Sequence, residues 1–136
     1  MEELTMEKQW AIRLIRLAAI FGLFGAYLGS HMAGAGSYAM KAVHVHILLV
    51  GWLSMFAWGI FYKNYEVRIK KLVTAQAVTG IIGAFGLGIG MWLFYVKPFA
   101  ISEVVNLVFF IAGGTILLVS FALFLAVTFF IDKAKA

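Results

Sequence analysis

Residues 41 to 62, KAVHVHILLVGWLSMFAWGIFY, form a largely apolar run closed off by Lys41 and Lys63. A run of about twenty such residues fits a helix that crosses the hydrocarbon of a bilayer. It carries His44 and His46 inside it. A strand would set both rings on one face, whereas a helix turns by about 200° between them, so they point to nearly opposite sides. One small metal ion therefore cannot be held by both from a single copy of this helix. An ionisable group within a span is a candidate functional residue, and each of these needs a partner from elsewhere.

Three more runs repeat the signal: 10–30, 72–96 and 101–131. With 64% hydrophobic and only 12% charged residues and a mean hydropathy of +1.00, the chain lies outside the range of soluble domains. The expected fold is an all-α integral membrane protein with four transmembrane helices, residues 1–136 forming one four-helix domain in contact with the lipid bilayer. There is no cysteine, which removes disulfides, thiolate metal ligation and the CxxCH attachment of a c-type haem. The net charge of +5 does not indicate nucleic acid, because the lysines and arginines flank apolar runs instead of forming a basic stripe with interleaved aromatics.

Those charges orient the chain. Lys8, Arg13, Arg16, Lys63, Arg68, Lys70, Lys71, Lys133 and Lys135 fall on one side, and only Lys41 and Lys97 on the other. The positive-inside bias predicts both termini in the cytoplasm and the histidine pair near the outer face of a bacterial or archaeal cytoplasmic membrane. Residues 1–9 read as a polar cytoplasmic lead that joins the first span. Arginines, an apolar core and the small residues at 33–36 also imitate a cleavable signal, but the run is long enough to span and is read as a retained helix.

The glycines are patterned. Gly22, Gly25 and Gly29 give GxxGxxxG, either a helix contact face or the ordinary glycine content of a membrane helix. Gly80, Gly83, Gly86, Gly88 and Gly90 in the third span predict close helix contact. Residues 31–40, HMAGAGSYAM, read as a small-residue loop with a solvated His31. Trp92 and Tyr95 mark an interface, and Lys97-Pro98 a turn. Trp52, Met55 and Trp58 read as packing and lipid-facing residues. The polar residues inside the fourth span are Asn106, Thr115 and Ser120.

Low-spin haem iron takes two axial nitrogens on opposite sides of a flat ring, and neutral imidazole suits that task. In a closed ring of identical subunits, His44 of one copy can face His46 of the next, which gives one bis-histidine site per subunit. On the His44 face, Gly51 would leave room for a porphyrin edge. Lys41 and Lys97 are candidate partners of haem propionates, and Asn106 lies at a depth where it can bond an imidazole. Against this stands a plainer reading: a membrane histidine often only hydrogen-bonds a neighbouring helix, and Gly51, Asn106 and Lys97 can be purely structural. Walker, dinucleotide-binding, zinc-protease and nucleophile-elbow motifs are absent from the sequence.

The segment HVHILLVGWLSMFAWGIFY resembles the histidine-bearing helices of the haem-copper oxidase catalytic subunit, and the HxHxxLxGW segments of small bacterial membrane proteins related to it and to the nitric oxide response protein family. In the large oxidase subunit, twelve helices form three arcs of four, and one H-x-H serves two different haems. The resemblance implies that three copies of this chain make an equivalent ring, with His44 and His46 as ligands of haem b. It implies electron transfer or redox or gas sensing, with a quinone or cytochrome as redox partner. The resemblance stops short of the oxygen-reducing site, since no histidine follows His46 to bind copper. Other classes consistent with the residues are a module that handles a non-haem metal or protons, and a structural subunit of a respiratory complex.

Overall fold

The computed structural model describes residues 4–132. The first three residues of the polar lead, and Lys133 and Lys135 in the charge count above, lie outside the described residues. Four helices are long and apolar enough to cross a membrane: α1 Met6–Ala35, α2 Lys41–Asn64, α3 Lys70–Val96 and α4 Glu103–Phe129.

Helix α1 starts where Thr5 caps it, its hydroxyl accepting from the Lys8 N–H, and where Glu7 sits in the first turn against the positive end of the helix dipole. It runs past the predicted boundary. Residues 31–35 stay helical, so His31 is a helix residue stacked on Tyr27 with ring centroids 6.2 Å apart, and the loop shrinks to 36–40. Methionine and alanine there favour continuation, and Gly36 ends it at φ 61° with its N–H on the Ala33 carbonyl, a left-handed cap that suits glycine.

Within α2, residues Ile47–Ser54 are wound as a π-helix, directly after the two histidines. The Ser54 hydroxyl donates to the Leu49 carbonyl five residues back at 2.8 Å, a bond that belongs to this wider winding. Apolar periodicity carries no signal for such a segment. Helix α4 is shorter than the predicted 101–131. Beyond it Ile131 forms an antiparallel bridge with Val67, the Arg68 N–H donates to the Phe130 carbonyl, and the Asp132 N–H donates to Glu66.

These bonds gather the first turn of α1, the 65–69 loop and the end of α4 at one end of the bundle, opposite the histidines. Glu7, only 1% exposed, joins them: its carboxylate accepts from the Val67 N–H at 3.1 Å and from Lys70. Helix α1 packs along α2 and helix α3 along α4, with α1 and α2 also touching α3. Met55 and Trp58 lie in the core, Trp58 edge-on to Phe121 of α4, so of the three residues read together at positions 52, 55 and 58 only Trp52 is exposed.

Candidate functional site

Three α1 glycines face α2, and each receives one α2 side chain: Trp52 on Gly22, Leu48 on Gly25 and His44 on Gly29. A Cβ on Gly29 would stand 2.9 Å from His44 Cε1, so the missing side chain is what lets the imidazole lie against α1. The GxxGxxxG pattern is therefore a contact face. There His44 Nδ1 meets the Gly25 carbonyl oxygen at 3.0 Å. A carbonyl only accepts, so this bond assigns the proton to Nδ1 and, in the neutral ring, the lone pair to Nε2.

His46 reaches the same electronic state by a different route. Its Nδ1 lies 3.0 Å from the Ala42 carbonyl, one turn back on its own helix. Both rings are half-buried, and neither Nε2 has a hydrogen-bond partner among the described residues. Donating one ring N–H to a backbone carbonyl is how metal-binding imidazoles are commonly oriented, since it fixes tautomer and ring plane and raises basicity at the other nitrogen. His44 faces α1. His46, about 200° round the helix, shares its side with the exposed Leu49, so one chain does not bring the two together.

The other candidate residues have the following surroundings in the single chain. Gly51 is covered by its own chain: a Cβ there would lie 2.4 Å from the Phe21 ring, which itself packs on Phe85 with centroids 4.8 Å apart. Lys97 ends α3 at φ 50° and its ammonium lies 2.6 Å from the Glu103 carboxylate across the turn, so it already has an anionic partner in its own chain. Lys41, the first residue of α2, is exposed and has no ion pair among the described residues. Asn106 is 3% exposed on α4, bonds neither histidine, and its Oδ1 has no hydrogen-bond partner among the described residues. Among the described residues no three of His, Cys, Asp and Glu come together as a metal cluster.

An apolar groove of about 470 Å³ lies close by, between α1, α2 and α3, walled by Phe21, Phe24, Val43, Ile47, Phe85 and Trp92. Neither histidine lines it. The sequence reading missed a buried polar stitch deeper in the bundle: the Tyr62 hydroxyl donates to Gln76 Oε1 at 2.7 Å, Gln76 Nε2 donates to Ser120 Oγ at 3.2 Å, and Ser120 donates back to the Gln76 carbonyl. Its signal was present, because Gln76 is a lone amide inside an apolar run and such a group requires partners in a dry interior.

In kind, two imidazoles whose Nε2 atoms have no hydrogen-bond partner among the described residues suit a haem iron. They do not fit one ring within one chain. No family model matches this chain, and neither a curated protein nor a solved structure matches it.

Proposed function

We propose that this protein is a membrane cytochrome that binds haem b between subunits, with His44 of one copy and His46 of its neighbour as the axial ligands. The observation that carries the reading is the common state of the two rings: each Nδ1 is held by a backbone carbonyl, leaving both Nε2 atoms as acceptors on opposed sides of α2. Two opposed ligands on one helix call for two copies of it, and a closed ring of identical subunits supplies them. The oxidase-like H-x-H segment favours a trimer, with both termini in the cytoplasm and the haems near the outer face. Haem held by two imidazoles supplies a one-electron couple, suited to electron transfer or to redox or gas sensing, with a quinone or a cytochrome as partner.

One observation favours a second reading. The His44 bond to Gly25 also stitches α2 to α1, which is all that a structural histidine would do. The absorption spectrum of protein purified from haem-replete cells separates the two. On the haem reading, His44→Ala and His46→Ala each abolish the six-coordinate low-spin spectrum, while His31→Ala, on the stacked outer end of α1, leaves it unchanged. A colourless wild type, or a low-spin spectrum that survives either of the first two substitutions, would sink the bis-histidine assignment. Native mass spectrometry then tests the shared site: the haem should travel with the oligomer, and a monomer retaining stoichiometric low-spin haem would exclude a site between subunits.

A further inference from the structure

At the end of the bundle where α1 begins and α4 ends, a shallow open groove of about 450 Å³ runs along the outer side of α3. Its walls change character along their length. Met6, Ala75 and Val78, with Thr79 beside them, make a mostly apolar open groove along the span, while Lys70, Lys71 and Thr74 stand at its rim. The two lysines differ. Lys70 is neutralised by the buried Glu7, whereas Lys71 is exposed and has no ion pair among the described residues. Both occupy the first turn of α3, where the helix dipole already places positive charge, and that turn has neither an acidic residue nor a side-chain cap. Lys71 thus adds one unpaired cation to an uncapped helix start at the mouth of an apolar groove.

We infer that this groove is a binding site for an anionic phospholipid, its phosphate at Lys71 and the start of α3 and one acyl chain along Ala75 and Val78. Charge complementarity selects the head, and the apolar floor, which lies beside a membrane-spanning helix, selects a lipid over a free anion. Lys71 is the discriminating residue, since Lys70 is held by Glu7. The Thr74 hydroxyl accepts from Trp10 at 3.2 Å and braces the α1 side of the groove. This inference is independent of haem.

The test uses the full-length protein in neutral detergent, mixed with phosphatidylglycerol or phosphatidylcholine of identical chains and read by native mass spectrometry. Phosphatidylglycerol should be retained about fivefold more than phosphatidylcholine, the effect of one basic residue near a charged headgroup. Lys71→Gln should bring that ratio to about one, while Lys63→Gln, a basic residue at the same end but outside the groove, should leave it unchanged. Ala75→Trp, which fills the groove without altering charge, should reduce retention of both lipids. Equal retention of the two lipids by the wild type would overturn the site. So would equal losses in Lys63→Gln and Lys71→Gln, which indicate a diffuse basic surface, or full retention in Ala75→Trp, which indicates that no chain lies in the groove. Displacement of the lipid by millimolar inorganic phosphate would show a site for free anions and overturn the lipid assignment.

Discussion

The two helix hairpins use glycine for different purposes. In α1–α2 the glycines receive side chains, and Gly22, Gly25 and Gly29 seat Trp52, Leu48 and His44 in turn. In α3–α4 several meet main chain: a Cβ on Gly83 would lie 2.6 Å from Leu117 Cα, one on Gly90 2.7 Å from Phe110 Cα, and one on Gly113 2.4 Å from the Gly86 carbonyl carbon, while Gly80 meets the Trp58 and Ser120 side chains. Between membrane helices there is little hydrophobic drive, so close packing carries association, and the backbone contacts of the second hairpin serve it. The first hairpin uses its α1 glycines to hold chosen side chains, among them a histidine. Glycine spacing on one helix does not distinguish the two uses; what faces it does.

The largest effect should come from wedging the second hairpin. Gly113→Ala puts a methyl against the Gly86 and Leu87 backbones, 2.4 and 2.5 Å away, where no rotamer change can relieve it. The helices must separate, at a cost of about 3 kcal/mol for an overpacked contact with no soft neighbour. Thermal unfolding in detergent, followed by circular dichroism, measures this, and an unchanged midpoint would mean that the backbones do not touch. The polar stitch in the same hairpin comes next. Ser120→Ala leaves the Gln76 amide without its acceptor in a dry interior, and should lower stability by about 1–2 kcal/mol.

In the first hairpin the same kind of substitution should be mild in stability and specific in consequence. Gly29→Ala meets the Cε1 edge of His44 at 2.9 Å, and a ring can swing where a backbone cannot, so the cost is about 1 kcal/mol. Swinging the ring strains its bond to the Gly25 carbonyl and alters the direction of Nε2. In haem-loaded protein the expected result is an altered low-spin spectrum at nearly full haem content. Gly22→Ala, which crowds Trp52 at 3.0 Å and leaves His44 alone, should cost about as much stability with no spectral change. Equal spectral effects from both would erase the distinction between seating a ligand and seating a bulky residue.

How much of this was legible depended on the range of the interaction. The four spans follow from apolar run length and were readable to within a few residues, because lipid leaves a long apolar segment little choice but a helix. Their ends were less so: α1 runs on to Ala35 because methionine and alanine in 31–35 outweigh the single Gly34, and α4 stops at Phe129 because the residues beyond it pair with the 65–69 loop, a contact between distant parts of the chain. The divergence of His44 and His46 is local helix geometry and was readable. Their carbonyl partners were not, since Gly25 lies nineteen residues from His44 and only packing brings them together. What covers Gly51 was not readable for the same reason. A glycine announces that something comes close, and here it is Phe21 of the same chain.

The smallest effect sharpens the comparison from a third side. Gly88 belongs to the glycine-rich run of α3, yet a Cβ there meets nothing within 4 Å, because the residue opens onto the apolar groove between α1, α2 and α3. Gly83, Gly86 and Gly90 serve backbone contact and Gly88 does not, so Gly88→Ala removes an entropic penalty and introduces no clash. The gain of alanine over glycine in a helix interior approaches 1 kcal/mol in water. In a span whose backbone is already shielded from water the expected gain is smaller, about 0.5 kcal/mol. The melting midpoint in detergent should rise slightly or stay level. A loss comparable to that of Gly29→Ala would mean that the groove is filled in the assembled protein, by a lipid chain or by a helix of a neighbouring subunit, and that α3 uses this glycine against an external partner as it uses Gly83 and Gly90 against α4.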